Sequence, residues 1–188
     1  MQAANPRAPA PDAAPPEAVR AAFRDLHGRR LHGFALLLTL GDRPRAARLA
    51  GEAIAEGTAN LDELRHPERA AAWLRARVVR AAGGVRRGNL RLSDRLQALS
   101  QIDAAGGVLA GLTDLRLIER AALIAWSVER LDRRDVAVIV GKDGSALDAL
   151  LSRARLRYAR RFAAVASQTA PSGPVIERVL EVAKKAMA

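Results

Sequence analysis

The distribution of proline constrains the fold of this chain more than any other feature. Five of the nine prolines lie within the first 16 residues, and none lies between Glu68 and Ala170. Proline inside a helix removes a hydrogen bond and clashes with the preceding turn, so a long proline-free stretch permits continuous helices. Pro44 and Pro67 stand where predicted helices begin, a position that tolerates proline. With apolar residues recurring at helical spacing, the sequence predicts an all-α fold.

Helical periodicity, together with the positions of Gly and Pro, sets the predicted helix boundaries. The predicted helices span residues 17–40, 45–56, 67–82, 114–128, 132–140, 144–166 and 174–187. Ser93 to Ile102 is expected to form only a turn or two of helix. Residues 136–140 are rich in β-branched side chains, so a strand is the alternative there, but Asp132 and Asp135 have the spacing of a helix capping box.

Two weakly patterned segments divide the chain. Gly88, Gly106 and Gly107 interrupt the periodicity, and the Ala/Pro-rich N-terminus is typical of a disordered leader. The length suits one domain or two small ones. We predict two small helical domains joined by a flexible linker, the second being a helix-turn-helix domain. The predicted boundaries are 1–16 for the leader, 17–90 for the first domain, 91–110 for the linker, 111–166 for the second domain and 167–188 for a tail helix.

Composition excludes several classes of function. The chain has no Cys and three scattered His, which excludes disulfide scaffolds, thiolate metal sites and cysteine nucleophiles. Gly141-Lys142 lacks the first Gly and the Ser/Thr of a phosphate-binding loop, and no other nucleotide-binding or hydrolase motif is present. The longest apolar run, Gly33 to Leu40, is far shorter than the roughly 20 residues that span a bilayer. We therefore expect a cytoplasmic protein that is not an enzyme, needs no cofactor or metal and does not insert into membranes.

The charge of the chain indicates an acidic partner. Lys and Arg number 31 against 20 Asp and Glu, which gives a net charge of +11, and both halves of the body are basic. Such a charge attracts nucleic acid. A coding bias toward Arg and Ala is the alternative source of it.

Residues 136–150 match the template of a helix-turn-helix motif, whose second helix enters the major groove of DNA. Ala137 is the small residue within the first helix, and Gly141 is the turn residue four positions later. Lys142 departs from the template, which has an apolar residue there. The apolar residues that lock the second helix are Val136, Val140, Leu147 and Leu150. Arg153, Arg157 and Arg160 line another face of that helix, for which a solvated helix face is the alternative.

A second cationic surface is predicted on the helix 67–82. An arginine flank that carries an aromatic side chain suits single-stranded or melted DNA, because phosphates are neutralised and unstacked bases meet a π-face. A role as a core anchor is the alternative for the tryptophan. The flank consists of Arg69, Trp73, Arg77 and Arg80, and Arg86 and Arg87 follow it.

Four segments carry a resemblance to one protein family. They are Phe23 to Asp42 (FRDLHGRRLHGFALLLTLGD), Ala46 to Gly57 (AARLAGEAIAEG), Trp73-Leu74 with Arg80, and Leu115 to Arg161. In this order they resemble the opening helix, the polymerase-clamp helix, the helix that reads the −10 element and the domain that reads −35 DNA of the extracytoplasmic-function (group-four) bacterial RNA polymerase sigma factors. The resemblance covers roughly residues 17–165.

The resemblance implies a sigma factor that binds core RNA polymerase and directs promoter-specific transcription initiation. Promoter DNA is then a partner, and an anti-sigma factor is a further one. The implied polymerase contacts are Leu49, Glu52 and Ile54. The implied −10 contacts are Arg69, Arg77, Arg80 and the loop Thr58–His66. The implied −35 contacts are Lys142, Ser145, Asp148, Ala149, Arg153 and Arg157.

Departures from the family pattern support an alternative function. Ala47 and Arg48 replace an acidic pair of the clamp helix, and residues 146–150 replace the usual Thr-Val-Lys-Ser-Arg. Within that stretch Asp148 either repels phosphates or accepts a hydrogen bond from a cytosine amino group. The alternative is a degenerate sigma-like adaptor that binds polymerase or an anti-sigma factor without reading promoter DNA. A plain helix-turn-helix repressor, the third reading, explains only the second half of the chain.

Overall fold

The computed structural model describes residues 16–61, 64, 66–83, 92–100 and 106–166. Within these residues every regular element is a helix and none is a strand, which confirms the all-α prediction. The helices are α1 (Pro16–Leu38), α2 (Arg43–Ala59), α3 (Pro67–Gly83), α4 (Leu92–Ser100), α5 (Gly106–Thr113), α6 (Leu117–Leu123), α7 (Arg133–Val140) and α8 (Gly144–Ala166). Of the predicted leader, 1–16, the structure describes only Pro16, which begins α1. The predicted tail helix, Arg86 and Arg87 lie outside the described residues.

Helices α1 and α2 form a hairpin whose turn is set by local chemistry. Leu40 and Gly41 take positive φ angles of 61° and 80°, which ends α1 two residues before the predicted position. The Gly41 backbone N–H donates to the Leu36 carbonyl across this turn. Asp42 then caps α2, because its Oδ1 accepts the backbone N–H of Arg45 at 3.0 Å. The capped turn brings α2 back along α1.

Helix α3 completes the first half by packing on both α1 and α2. Gly57 of α2 allows this approach, since a Cβ there would lie 3.0 Å from the side chain of Leu74 and 3.1 Å from that of Phe23. Leu74 and Val78 are fully buried in the resulting core. A face of α3 that carries Arg75 remains available to the second half of the chain.

The predicted linker, 91–110, is helical where the structure describes it. It contains α4 and the start of α5, and α5 packs closely on α8. A Cβ on Gly111 would lie 2.5 Å from the Tyr158 ring, so the two helices approach as closely as glycine permits. Helix α5 is short and begins with two glycines, so its packing on α8 is what stabilises it.

A π-helical segment, Ile124–Val128, continues α6 and leads into α7. Its hydrogen bonds run from residue i+5 to residue i, as from the Glu129 N–H to the Ile124 carbonyl at 3.0 Å, and such segments are frequent at functional sites. The segment is buried at Ile124, Ala125 and Ser127. The predicted helix 114–128 is thus formed by α6 and this π-helical extension.

The two halves of the chain pack against each other. Helix α7 lies on α3, and a continuous set of buried apolar side chains runs through both halves. Arg75 of α3 forms a bidentate ion pair with Glu129, which follows the π-helical segment. Arg120 of α6 donates from Nη1 to the Leu38 carbonyl at 2.7 Å. The division into two domains stays a prediction, but the described halves are in contact.

Candidate nucleic-acid interface

The turn between α7 and α8 has the local chemistry that the sequence pattern predicts. The Asp132 side chain caps α7, with Oδ1 accepting the Asp135 backbone N–H at 2.8 Å. Gly141 lies in the left-handed region with φ of 63°, where glycine is favoured. The backbone N–H groups of Gly141 and Lys142 both donate to the Ala137 carbonyl. Two helices joined by a tight turn result, and their role in DNA binding stays a prediction.

Opposite faces of this unit differ sharply in exposure. The side that faces the protein core consists of Val136, Val140, Leu147 and Leu150, all buried. The side that faces solvent includes four of the predicted DNA contacts, Lys142, Ser145, Ala149 and Arg153. Helix α8 is therefore buried along one face and exposed to solvent along another, and the exposed face begins at its first turn.

Asp148 lies on the open side of α8 but is paired within the protein. Both of its carboxylate oxygens accept hydrogen bonds from Arg133 at the start of α7, and Arg133 Nη2 also donates to the Gly144 carbonyl at 2.9 Å. These hydrogen bonds lower the pKa of Asp148 below its ordinary value. Sequence reasoning missed Arg133, because the two residues lie 15 positions apart and no helical or strand spacing relates them.

Two arginines of α8 are also engaged by the protein. Arg157 Nη1 donates to Oε2 of Glu119, a buried carboxylate in the first turn of α6, at 3.1 Å. The Arg155 guanidinium lies 5.9 Å from the centre of the Trp126 ring. Arg157 therefore serves partly to neutralise Glu119, although its side chain is still 44% exposed. Arg153 is exposed as well.

The predicted flank of α3 is brought together as a surface. Arg69 and Arg80 are exposed, and Trp73 is half-buried against the core. The Arg77 guanidinium lies 5.5 Å from the centre of the Trp73 ring and also pairs with Glu56 of α2. The indole packs on the core and keeps part of its surface near solvent, and its role in base stacking stays a prediction.

The predicted polymerase contacts on α2 differ in accessibility. Leu49 is only 1% exposed and belongs to the core, where it supports α2, and its role as a polymerase contact stays a prediction. Ile54 is partly buried against the same core. Glu52 is exposed and lies 3.6 Å from Arg48 across one helical turn. Of the three predicted polymerase contacts, Glu52 and part of Ile54 are therefore accessible to a partner.

The remaining predicted residues add little to the site. Thr58 belongs to the end of α2, where its hydroxyl donates to the Ile54 carbonyl at 2.7 Å. Residues 62, 63 and 65 of the predicted −10 loop lie outside the described residues.

Over the described part of the chain, no group of three or more His, Asp or Glu could hold a metal ion. Nor is any described helix long and apolar enough to cross a membrane.

Comparison with known proteins adds no relative. No family model, no curated protein and no solved structure matches this chain. The likeness to sigma factors therefore rests on the residues of the chain alone.

The burial of two arginines is the feature that the sequence least clearly indicates. Arg75 and Arg120 are 4% and 2% exposed, although charged residues are seldom fully buried unless they are paired. A signal for Arg75 does exist in the sequence. It lies among Ala72, Ala76 and Val79, which form a second apolar face of α3. A second apolar face indicates that the helix is buried on two sides.

Proposed function

We propose that this chain is a sigma factor of the extracytoplasmic-function type, which binds core RNA polymerase in the cytoplasm and directs initiation at specific promoters. One observation supports this most strongly. Helix α8 is anchored by Leu147 and Leu150, while Lys142, Ser145 and Ala149 are exposed at its N-terminal end. An anchored helix with an open N-terminal face is the arrangement with which helix-turn-helix proteins read the major groove.

The flank of α3 supports the same proposal. The exposed cations Arg69 and Arg80 provide phosphate contacts, and the pair of Trp73 and Arg77 provides a surface on which an unstacked base can lie. Opening a promoter requires both kinds of contact. The two cationic surfaces lie on different halves of the chain, as reading two separate promoter elements requires.

A sigma-like adaptor is the second candidate, and the pairing of Asp148 favours it. Arg133 neutralises this carboxylate, which leaves Asp148 neither a strong repellent of phosphates nor a free acceptor for a cytosine amino group. An adaptor that binds a protein does not need this face of α8 to read DNA.

Run-off transcription tests the two candidates. Purified core bacterial RNA polymerase is given the chain and the DNA upstream of its own gene, and co-elution with core polymerase is measured in parallel. Initiation from a defined start site supports the sigma factor. Co-elution without initiation supports an adaptor that binds polymerase, and the absence of both contradicts the sigma factor and this form of the adaptor.

The salt dependence of DNA binding tests the exposed face of α8 directly. Each phosphate contact on duplex DNA contributes about 0.9 to the slope of log affinity against log salt. We expect Arg153→Ala to lower the slope by about one and to weaken binding to all sequences alike. Arg20→Ala, which removes an exposed arginine of α1, is the matched control and should leave the slope unchanged. Equal slopes for the two variants would remove α8 from the DNA interface.

A further inference from the structure

Arg133, the first residue of α7, is hydrogen-bonded to the N-terminal turn of α8. Its Nη1 and Nη2 donate to the two carboxylate oxygens of Asp148, and Nη2 also donates to the Gly144 carbonyl at 2.9 Å. Gly144 and Asp148 lie four residues apart, so they share one face of α8. Both residues are exposed. The Arg133 guanidinium therefore lies over the exposed face of α8, at the end where this helix begins.

The guanidinium held in this way keeps part of its hydrogen-bonding capacity. An arginine side chain carries five N–H donors, and the three hydrogen bonds to α8 use one donor on Nη1 and both on Nη2. Within the part of the chain that the structure describes, the Nε–H and the second Nη1–H of Arg133 meet no acceptor. The side chain is also 51% exposed. Arg133 is therefore an oriented cation that can still donate to a group that arrives from solvent.

Two exposed cations near Arg133 are not oriented in this way. The side chains of Lys142 and Arg153 form no hydrogen bond or ion pair with the described residues. A ligand that binds to them must order them, and the ordering of a side chain with many rotamers opposes binding. Asp148 orders Arg133 in advance through a bidentate carboxylate–guanidinium pair, the geometry in which exposed pairs are most firmly held. Of these three cations, Arg133 is thus the preorganised one.

We propose that Arg133 contacts a backbone phosphate of duplex DNA and that Asp148 is the positioning residue that orients it. Phosphate is the fitting acceptor, because it is the anion that duplex DNA presents along its whole length and it accepts charge-assisted hydrogen bonds from guanidinium groups. Contacts of this kind fix the orientation of a protein on the duplex. The inference rests on the proposed role of α8 in DNA binding, and it gives Asp148 a role there that needs no contact with a base.

Opposite effects of Asp148→Asn distinguish a positioning carboxylate from a repelling one. A carboxylate that only repels DNA weakens binding, so its removal would tighten binding to any duplex. A carboxylate that orients Arg133 supports binding, and its removal leaves the guanidinium to be ordered by the DNA. We therefore expect Asp148→Asn to weaken binding to a random-sequence duplex about two- to tenfold, the cost of ordering one freed side chain.

Fluorescence anisotropy of the full chain with a labelled random-sequence duplex, at several salt concentrations, tests the contact itself. Arg133→Gln is made in the Asp148→Asn background, so that no unpaired carboxylate is left behind. We expect it to lower the slope of log affinity against log salt by about one, the contribution of one phosphate. The matched control is Arg24→Gln in the Glu17→Gln background, because this exposed pair on α1 is joined at 2.8 Å and lies outside α7 and α8. The control should leave the slope unchanged, and an equal change in both would overturn the contact.

An unchanged slope for Arg133→Gln would overturn the contact, and a lowered slope for Arg153→Ala would then keep α8 in the DNA interface. Tighter binding by Asp148→Asn would overturn the positioning role. If the wild type does not bind the duplex, this inference fails together with DNA reading by α8.

A second variant, checked for folding by circular dichroism, guards against a folding defect in the first. Arg133→Lys keeps the charge, and therefore the slope, but replaces the planar fork with a point charge, so we expect severalfold weaker binding. Wild-type affinity in a folded Arg133→Lys would contradict the orientation of the guanidinium by Asp148.

Discussion

Glycine residues inside two helices meet opposite surroundings, and the same substitution should therefore have opposite effects. At Gly111 of α5 an added Cβ would lie 2.5 Å from the Tyr158 ring, which is itself fully buried. At Gly51 of α2 nothing lies within 4 Å of that position. We expect Gly111→Ala to lower the free energy of unfolding by about 1–3 kcal/mol through overpacking. Gly51→Ala should raise it by about 0.5–1 kcal/mol through helix propensity.

Urea denaturation followed by circular dichroism measures both glycine variants under one set of conditions. Stabilisation by Gly111→Ala would mean that α5 does not lie against the Tyr158 ring. The exposed Gly51→Ala variant also reports whether α2 is helical at that position.

Burial of His27 should make the stability of the protein depend on pH. The imidazole packs beside Phe23, with ring centres 4.7 Å apart, and this burial, with some repulsion from Arg75, lowers its pKa below the ordinary 6.5. The unfolded chain then binds a proton more readily than the folded one. Stability is therefore fully present above about pH 6.5 and is lost as pH falls through the folded-state pKa.

Urea unfolding at several pH values between about 7.5 and 5 tests this prediction. We expect the free energy of unfolding of the wild type to fall with pH and that of His27→Gln to fall less. If the wild type and His27→Gln show the same pH dependence, the imidazole is not buried in its neutral form.

At the scale of whole elements, the ion pair of Arg75 and Glu129 connects α3 to the end of the π-helical segment. The side chains are 4% and 15% exposed, and the Arg75 guanidinium also lies 5.7 Å from the centre of the Phe34 ring. Removing one partner of a buried pair leaves an uncompensated charge and costs about 3–5 kcal/mol. We expect Arg75→Met to destabilise the protein by this amount, and the double variant with Glu129→Gln by less than the sum of the single effects.

The pair of Arg48 and Glu52 on α2 serves as the matched control for that double-mutant cycle. Its side chains are about half exposed, and exposed pairs contribute roughly 0–1 kcal/mol. Arg48→Met and Glu52→Gln should therefore change stability little, singly or together. Additive effects at Arg75 and Glu129 would contradict the buried contact between the halves.

Local sequence signals predict most helices of this fold but not all of them. The long helices α1, α3 and α8 follow from apolar periodicity, and the predicted start of α7 follows from its Asp132 cap. Helix α4 lies where a turn or two of helix is expected between Ser93 and Ile102. Helix α5 is not predicted, because it is short and contains Gly107 and Gly111. Those glycines look like helix breakers in the sequence, yet Phe162 and Tyr158 of α8 occupy the space that their missing side chains leave. Tertiary packing decided the outcome there, and no local signal reports it.

The candidate site shows the same division. Exposure of Lys142, Ser145 and Arg153 follows from the periodicity of α8, because the apolar stripe fixes which face is open. The pairing of Asp148 with Arg133 does not follow, since it depends on the angle at which α7 approaches α8. Contacts within one helix are thus accessible to sequence reasoning, whereas contacts between helices depend on the assembled fold.

At the scale of the whole molecule, the shared core predicts that both halves unfold together. The chain has two tryptophans, Trp73 in α3 and Trp126 in the π-helical segment, so each half carries one fluorescent reporter. The variants Trp73→Phe and Trp126→Phe each keep one tryptophan, whose fluorescence follows the unfolding of one half in urea. After correction for the stability of each variant, we expect the midpoints of the two transitions to coincide. Two separate transitions within the wild type, seen by circular dichroism, would instead indicate halves that fold independently.

The hydrogen bond from Arg120 to the Leu38 carbonyl has a consequence for the order of folding. It joins residues 82 positions apart, whereas the bond from Arg120 to Leu112 spans 8. Closing the longer loop costs about 2 kcal/mol more in chain entropy, because this cost grows with the logarithm of loop length. The guanidinium therefore meets the nearby carbonyl first, and the end of α1 arrives late. Contacts formed after the rate-limiting step affect the unfolding rate more than the folding rate. We therefore expect the hydrogen bond from Arg120 to Leu38 to affect how long the folded chain persists more than how fast it forms.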